Sequence, residues 1–276
     1  SDALIKSGTA KIAEALQLVG NNWVGPIADN TTAEQALALW KEIAVKMGGA
    51  DTNWRLELFL TKAFIDAQVK RKYDAEMTYQ QNAYDILEKA DSLGVSAAVT
   101  AARAQLARID TEFQSKADFK KEMQAWGLGG GYGELDETLD SLYQPLTDRL
   151  WLEDRLDSAS TLGDIDAILH YEDPGPGGFY DNLGVYGQDP HLVRQMSWEE
   201  DPGFVHSPIE WMAHAPGSSR RVSQQSHATT RYDTPLKMRW EGLDPGANYH
   251  IEVVYKGPFG PEFTCKTDDG HLIHGP

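Results

Sequence analysis

The sequence predicts an α+β chain in two parts: an α-helical bundle domain of long helices over residues 1–171, then an antiparallel β-sandwich domain over residues 172–276. Three observations carry this reading. The first is a step in composition: all eight His lie between His170 and His274, and eleven of the thirteen Pro between Pro174 and Pro276. Such a step marks a domain boundary better than any single motif. The second is the helical spacing of apolar residues before the step. The third is a switch to two-residue alternation after it.

Leu4, Ile5, Ile12, Leu16 and Val19 recur at helical spacing, with Gly20 placed to cap the C-terminus. Thr31-Thr-Ala-Glu34 reads as a capping box, Thr31 accepting from Glu34 N–H while the Glu34 carboxylate reaches back. The helix it opens carries Leu37, Trp40, Ile43, Ala44 and Met47 and stops at Gly48-Gly49. Asp51 or Thr52 is placed to cap the next. That helix runs without Gly or Pro from about Trp54 to Ala90, with a stripe of Leu56, Leu60, Phe64, Ala67, Val69, Met77, Ala83 and Leu87. An Ala-rich helix follows from Ser96 through Phe113 to Met123, and Gly127–Gly133 breaks it. Shorter helices are expected at about 135–143 and 161–170. Long helices joined by short loops make a bundle.

After the step, Leu236, Met238 and Trp240 alternate with Lys237, Arg239 and Glu241, and Tyr249, Ile251, Val253 and Tyr255 alternate with His250, Glu252 and Val254. Leu243-Asp-Pro-Gly-Ala247 between them reads as a turn. Phe263 with Cys265, Leu272-Ile273 and Val222–Ala228 are weaker strands. This predicts a sandwich of galactose-binding or jelly-roll type, short of the seven or more strands a closed one needs. Missing strands are expected from sequence beyond Pro276, a second chain or a homo-oligomer, and the start at Ser1 reads as a processed product or a fragment lacking a flanking domain.

Charge and cysteine content exclude several functions. With 25 Lys+Arg against 42 Asp+Glu, the net charge of −17 excludes a general nucleic-acid binder and an anionic-membrane docking surface. One cysteine, Cys265, excludes an internal disulfide framework and a Cys-based zinc finger. No apolar run reaches the ~18 residues of a membrane span.

Gly127–Gly133 has neither the strand–helix context of a dinucleotide loop nor the Gly-Lys-Ser/Thr of a Walker loop. No H-E-x-x-H or G-x-S-x-G occurs, and His271 and His274, three apart on a strand, point to opposite faces. Cys265 reads as a small core hydrophobe, and Glu199, Glu200 and Asp201 as a solvated acidic loop or an acid/base pair. Arg220-Arg221 reads as a loop tip or an anion grip. The stretch Asp173-Pro-Gly-Pro-Gly-Gly-Phe-Tyr-Asp181-Asn182 is the most unusual. Asp173, Asp181 and Asn182 offer oxygens to calcium, whereas the alternative is a structured turn anchored by Phe179 and Tyr180. No motif requires another cofactor. Tyr171, Phe179, Tyr180, Tyr186, Trp198, Trp211, Tyr232 and Trp240 interleave with polar residues. That palette suits stacking on sugar rings as well as an ordinary sandwich core. Tyr180, Asp181, Trp198 and Trp211 are the ligand candidates.

Tyr232-Asp-Thr-Pro-Leu-Lys-Met-Arg-Trp240, then Gly242–Tyr255, preceded by Asp173–Asp181, resemble the C-terminal helical plus β-sandwich regions of large bacterial secreted glycoside-hydrolase-like proteins. The resemblance implies an accessory part, secreted or at the cell surface, that binds or presents a polysaccharide or oligosaccharide and braces a catalytic barrel. That barrel has no counterpart here, so no catalytic residue is carried over. Two rivals stand beside this reading. One is a structural or assembly protein of a cell surface or filament. The other is a polysaccharide lyase or hydrolase with its site between the two domains.

Overall fold

The computed structural model describes residues 32–49, 53–128, 139–140, 142–181, 183, 190–193, 204–206, 213–214, 221–223, 228–230, 235–253 and 264–275. They divide into two compact units, Ser1–Met238 and Arg239–Pro276.

The N-terminal unit is organised on one long helix. Helix α1 (Ala33–Met47) buries Leu37, Trp40, Ile43 and Ala44 and ends at Gly48, whose φ of 87° is the left-handed cap only glycine takes without strain. Its N-cap is Thr32, one residue later than the sequence predicts, and Thr32 makes no side-chain cap bond. Thr31, the predicted partner of Glu34 in a capping box, lies outside the described residues. The Glu34 carboxylate takes Nε and an Nη of Arg71 at 2.5 and 2.8 Å, tying the start of α1 to the middle of the next helix. Met47, expected on the apolar face, is exposed.

Helix α2 (Trp54–Leu87) starts at Asn53, whose side chain accepts from Arg55 N–H at 2.9 Å, and not at Asp51 or Thr52. At 34 residues it is about 51 Å long. Every residue of the predicted stripe is buried except Met77, which is half-buried. Its two halves serve two cores. The first half packs with α1 and with Phe119, Met123, Leu128, Leu139 and Leu142. The second packs with Leu106, Ile109, Leu152, Leu156, Ile165 and Ile168 from the helices that follow.

A short helix α3 (Ala90–Leu93) follows α2, and the predicted Ser96–Met123 helix is two pieces, α4 (Val95–Ile109) and α5 (Lys116–Ala125). The break between α4 and α5 contains no Gly or Pro. Ser115 opens α5 by accepting from Asp118 N–H at 3.2 Å, so a local cap outcompetes continuation. Helix α6 (Thr147–Ser158) has no counterpart in the sequence reading. Helix α7 (Leu162–Leu169) matches the predicted 161–170, with a capping box between Thr161 and Asp164. Backbone N–H bonds from Ser160 and Thr161 hold the Asp164 carboxyl below its usual range. The predicted helix at 4–19 lies outside the described residues, as does most of Gly127–Gly133 and of 135–143.

The β-sandwich is overturned. Among the described residues the strands form three two-stranded antiparallel pairs. Strand β1 (Phe204–His206) pairs with β4 (Ala228–Thr230), and β2 (Ala213–His214) with β3 (Arg221–Ser223). In the C-terminal unit β5 (Cys265–Lys266) pairs with β6 (Leu272–His274), and Cys265 is half-buried. The predicted central strands fail on burial. Leu236 is exposed, as are Tyr249, Ile251 and Val253; Met238 and Trp240 are only half-buried, and Met238 makes a lone bridge to Leu192. Tyr255 lies outside the described residues. Two-residue alternation gives a segment two faces, but a sheet forms only if a second layer covers the apolar one. The turn itself holds: Ala247 N–H bonds Asp244 O at 3.1 Å and Gly246 N–H bonds the Asp244 carboxylate at 2.8 Å.

Candidate functional site

After α7 the chain folds back through Asp173-Pro-Gly-Pro-Gly-Gly178. The Asp173 carboxylate accepts from Gly175 N–H at 3.0 Å, and Gly178 N–H bonds Gly175 O at 3.1 Å. A Cβ on Gly178 would lie 2.6 Å from a Pro174 side-chain carbon, so the turn closes only with glycine there. This sharp return sets Tyr180 edge-on to Tyr171, 6.3 Å between ring centres at 83°. Tyr171 lies 4.3 Å from the Trp151 ring of α6. Both tyrosine hydroxyls donate to one oxygen of Glu172, at 2.9 and 3.4 Å. Next to them Asp181, its side chain 7% exposed, accepts from the His191 ring at 2.9 Å and from the His191 backbone N–H at 3.2 Å. A carboxylate only accepts, so Nδ1 of His191 carries the proton and Nε2 is left as the ring's second polar atom. Phe179 stands edge-on to His191 at 5.0 Å, and the residue is 36% exposed. The loop thus gathers four aromatic rings, two carboxylates and one imidazole at a half-buried surface of the helical unit.

A second polar group lies deeper, between the two apolar cores. Gln68, Lys72, Glu76 and Gln80 recur every four residues along α2 and are all buried. Gln68 donates to Gln114 O and to the Tyr143 hydroxyl, both at 2.8 Å. Burial pushes the Tyr143 phenol up to about 12. The Lys72 ammonium donates to the carbonyls of Leu142 and Gln144. Glu76 accepts from Gln80 at 3.0 Å and faces Arg149 of α6 at 3.8 Å. Arg149 is itself buried, gripping Asp110 with two bonds of 2.8 Å and Glu153 at 2.9 Å. Desolvation raises the Glu76 carboxyl above its ordinary value despite the Gln80 bond and the Arg149 charge. The Arg149 bonds hold Asp110 below its own. These groups fix the 110–114 and 142–149 segments to the long helix, while Glu76 Oε1 and Gln80 Oε1 are buried without a hydrogen-bond partner.

Of the predicted site residues, the structure brings Tyr180 and Asp181 together in the aromatic loop. Asp181 is committed to His191 and Asp173 to its own turn. Among the described residues no group of three or more His, Cys, Asp or Glu is placed to hold a metal ion. Asn182, Trp198 and Trp211 lie outside the described residues. Sequence reading missed Glu172, His191 and Trp151. Nothing local marks His191, which meets Asp181 across ten residues. No described helix is long and apolar enough to cross a membrane. Comparison with models of protein families, with curated proteins and with solved structures finds no match for this chain.

Proposed function

We propose that the chain is an accessory carbohydrate-binding part of a secreted or cell-surface carbohydrate-active protein, with Tyr171, Phe179 and Tyr180 as its contact surface. One observation carries the reading: the two tyrosine hydroxyls converge on Glu172 beside the exposed Phe179 ring and the Asp181–His191 pair. Ring faces stack on sugar C–H groups, while oriented carboxylate and imidazole groups meet hydroxyls. The rings are ordered by their own hydrogen bonds and contacts, so little entropy remains to be lost on binding. The proposed surface belongs to the helical unit rather than to a sandwich. Asp181 acts in it as the residue that orients His191, not as a direct ligand.

A catalytic reading draws on the same pair. In an imidazole oriented by a buried carboxylate through Nδ1, Nε2 is the atom that would take a proton from a substrate hydroxyl. The two readings separate experimentally. Affinity electrophoresis against neutral and acidic polysaccharides should retard the chain, and Tyr180→Ala should weaken retardation about fivefold, the loss of roughly 1 kcal/mol of stacking. His191→Ala, which removes one hydroxyl contact, should weaken retardation as well. Release of reducing ends or unsaturated sugars by wild type, lost in His191→Ala, would favour the enzyme. No retardation by any glycan would overturn the binding reading.

A further inference from the structure

Glu76 and Gln80 stand one helical turn apart on α2, and both are wholly buried. Gln80 Nε2 donates to Glu76 Oε2 at 3.0 Å. The other oxygen of each group, Glu76 Oε1 and Gln80 Oε1, has no hydrogen-bond partner. Buried acceptors without a donor are costly. One proton corrects both. On Glu76 Oε1 it turns that oxygen into a donor, and the amide oxygen of its existing partner is an acceptor in want of one. It also removes a charge that burial disfavours, whereas a bridging water would leave the anion in place.

The surrounding charges permit the change. Lys72 of the same helix, Arg149 of α6 and the Leu146 N–H face the carboxylate, and all three favour the anion. Behind Arg149 stand Asp110 and Glu153, to which it is bonded. Neutralising Glu76 therefore strands no cation. Arg149 keeps two carboxylates, and the Lys72 ammonium keeps the carbonyls of Leu142 and Gln144. Desolvation outweighs the two cations and holds the Glu76 carboxyl above its ordinary value.

We propose that Glu76 and Gln80 form a proton-binding site: on acidification the carboxylate takes one proton from solvent on Oε1 and donates it to Gln80 Oε1, closing an acid–amide pair with two hydrogen bonds. The Nε2 bond is kept, and the charge contact with Arg149 at 3.8 Å between α2 and α6 gives way to a pair within α2.

The test is a pH titration of the full chain, carbon-13 labelled at the side-chain carbonyls of Glu and Gln, followed by nuclear magnetic resonance. The resonance missing in Glu76→Gln should move with a midpoint above that of the exposed glutamates, and the resonance missing in Gln80→Met should move in the same step. Gln80→Met then shows which form the amide serves. In the proposed pair Gln80 gives the anion one charge-assisted bond and the acid two neutral ones, which are close in strength. Its loss should therefore raise the proton affinity of Glu76 by no more than about threefold. A larger rise in a Gln80→Met chain with the wild-type circular dichroism spectrum would overturn the proposal. In the wild type alone, a Glu76 that titrates with the exposed glutamates, or a Gln80 resonance indifferent to the step, would overturn it too.

Discussion

Replacing Arg149 by Met removes a buried guanidinium and leaves its four contacts behind. Asp110 and Glu153 keep partial access to water, their side chains being 62% and 35% exposed, so each loses only ~0–1 kcal/mol of pairing. Glu76 is different: it is fully buried and its anion loses the nearest countercharge on α6. Stranding one partner of a buried pair costs about 3–5 kcal/mol. Protonation sets a ceiling. From an ordinary value of 4.5, neutralising the carboxyl at pH 7 costs about 1.4 kcal/mol per pH unit, or about 3.4 kcal/mol. Arg149→Met should therefore destabilise the helical unit by about 3–4 kcal/mol at pH 7, and the penalty should shrink toward about 1 kcal/mol near pH 4.5. In a Glu76→Gln background no anion is stranded, and Arg149→Met should cost only about 1 kcal/mol. The assay is urea unfolding followed by helical circular dichroism on all four proteins of the cycle. A coupling energy below about 0.5 kcal/mol would show that Glu76 and Arg149 do not sense each other, refuting the account of the buried line.

Two further outcomes follow from the same packing. Glu76→Gln alone should stabilise the helical unit at pH 7 and be neutral below about pH 4. The folded carboxyl sits above its unfolded value, so the stability linked to it is full at low pH and lost as pH rises through the folded value; a gain that grows on acidification would reverse that sign. Gly48→Ala should cost about 1–2 kcal/mol in thermal unfolding although open space surrounds the site, because φ is 87°; no loss would show that the α1 cap relaxes at no cost.

Helix α2 was readable because Leu56, Leu60 and Phe64 share one face and nothing breaks the run. Its polar line was equally present, at 68, 72, 76 and 80, but a four-residue polar period is ordinarily a solvated face. Only the second layer, α4 and α6, makes it a buried one. Helix α6 escaped for the converse reason. Arg149 is buried while the neighbouring Leu150 is exposed, so its core face does not look apolar. The sandwich failed because alternation at 236–240 and 249–255 specifies two faces without specifying what covers them. In the loop, glycine and proline density singled out Asp173–Asn182, and Tyr180 and Asp181 are part of the gathered site. His191 could not be found that way, since its contact with Asp181 depends on the return of the chain and leaves no spacing pattern.

The proposal that the aromatic loop of the helical unit binds carbohydrate is tested most directly by calorimetric titration of wild type, Tyr180→Ala and Trp240→Ala with a glycan that retards the chain. Trp240, half-buried, is an aromatic ring of the C-terminal unit and serves as the control. The loop site predicts that Tyr180→Ala raises the dissociation constant about fivefold while Trp240→Ala leaves it unchanged. Loss of binding in Trp240→Ala with Tyr180→Ala titrating as wild type would contradict it.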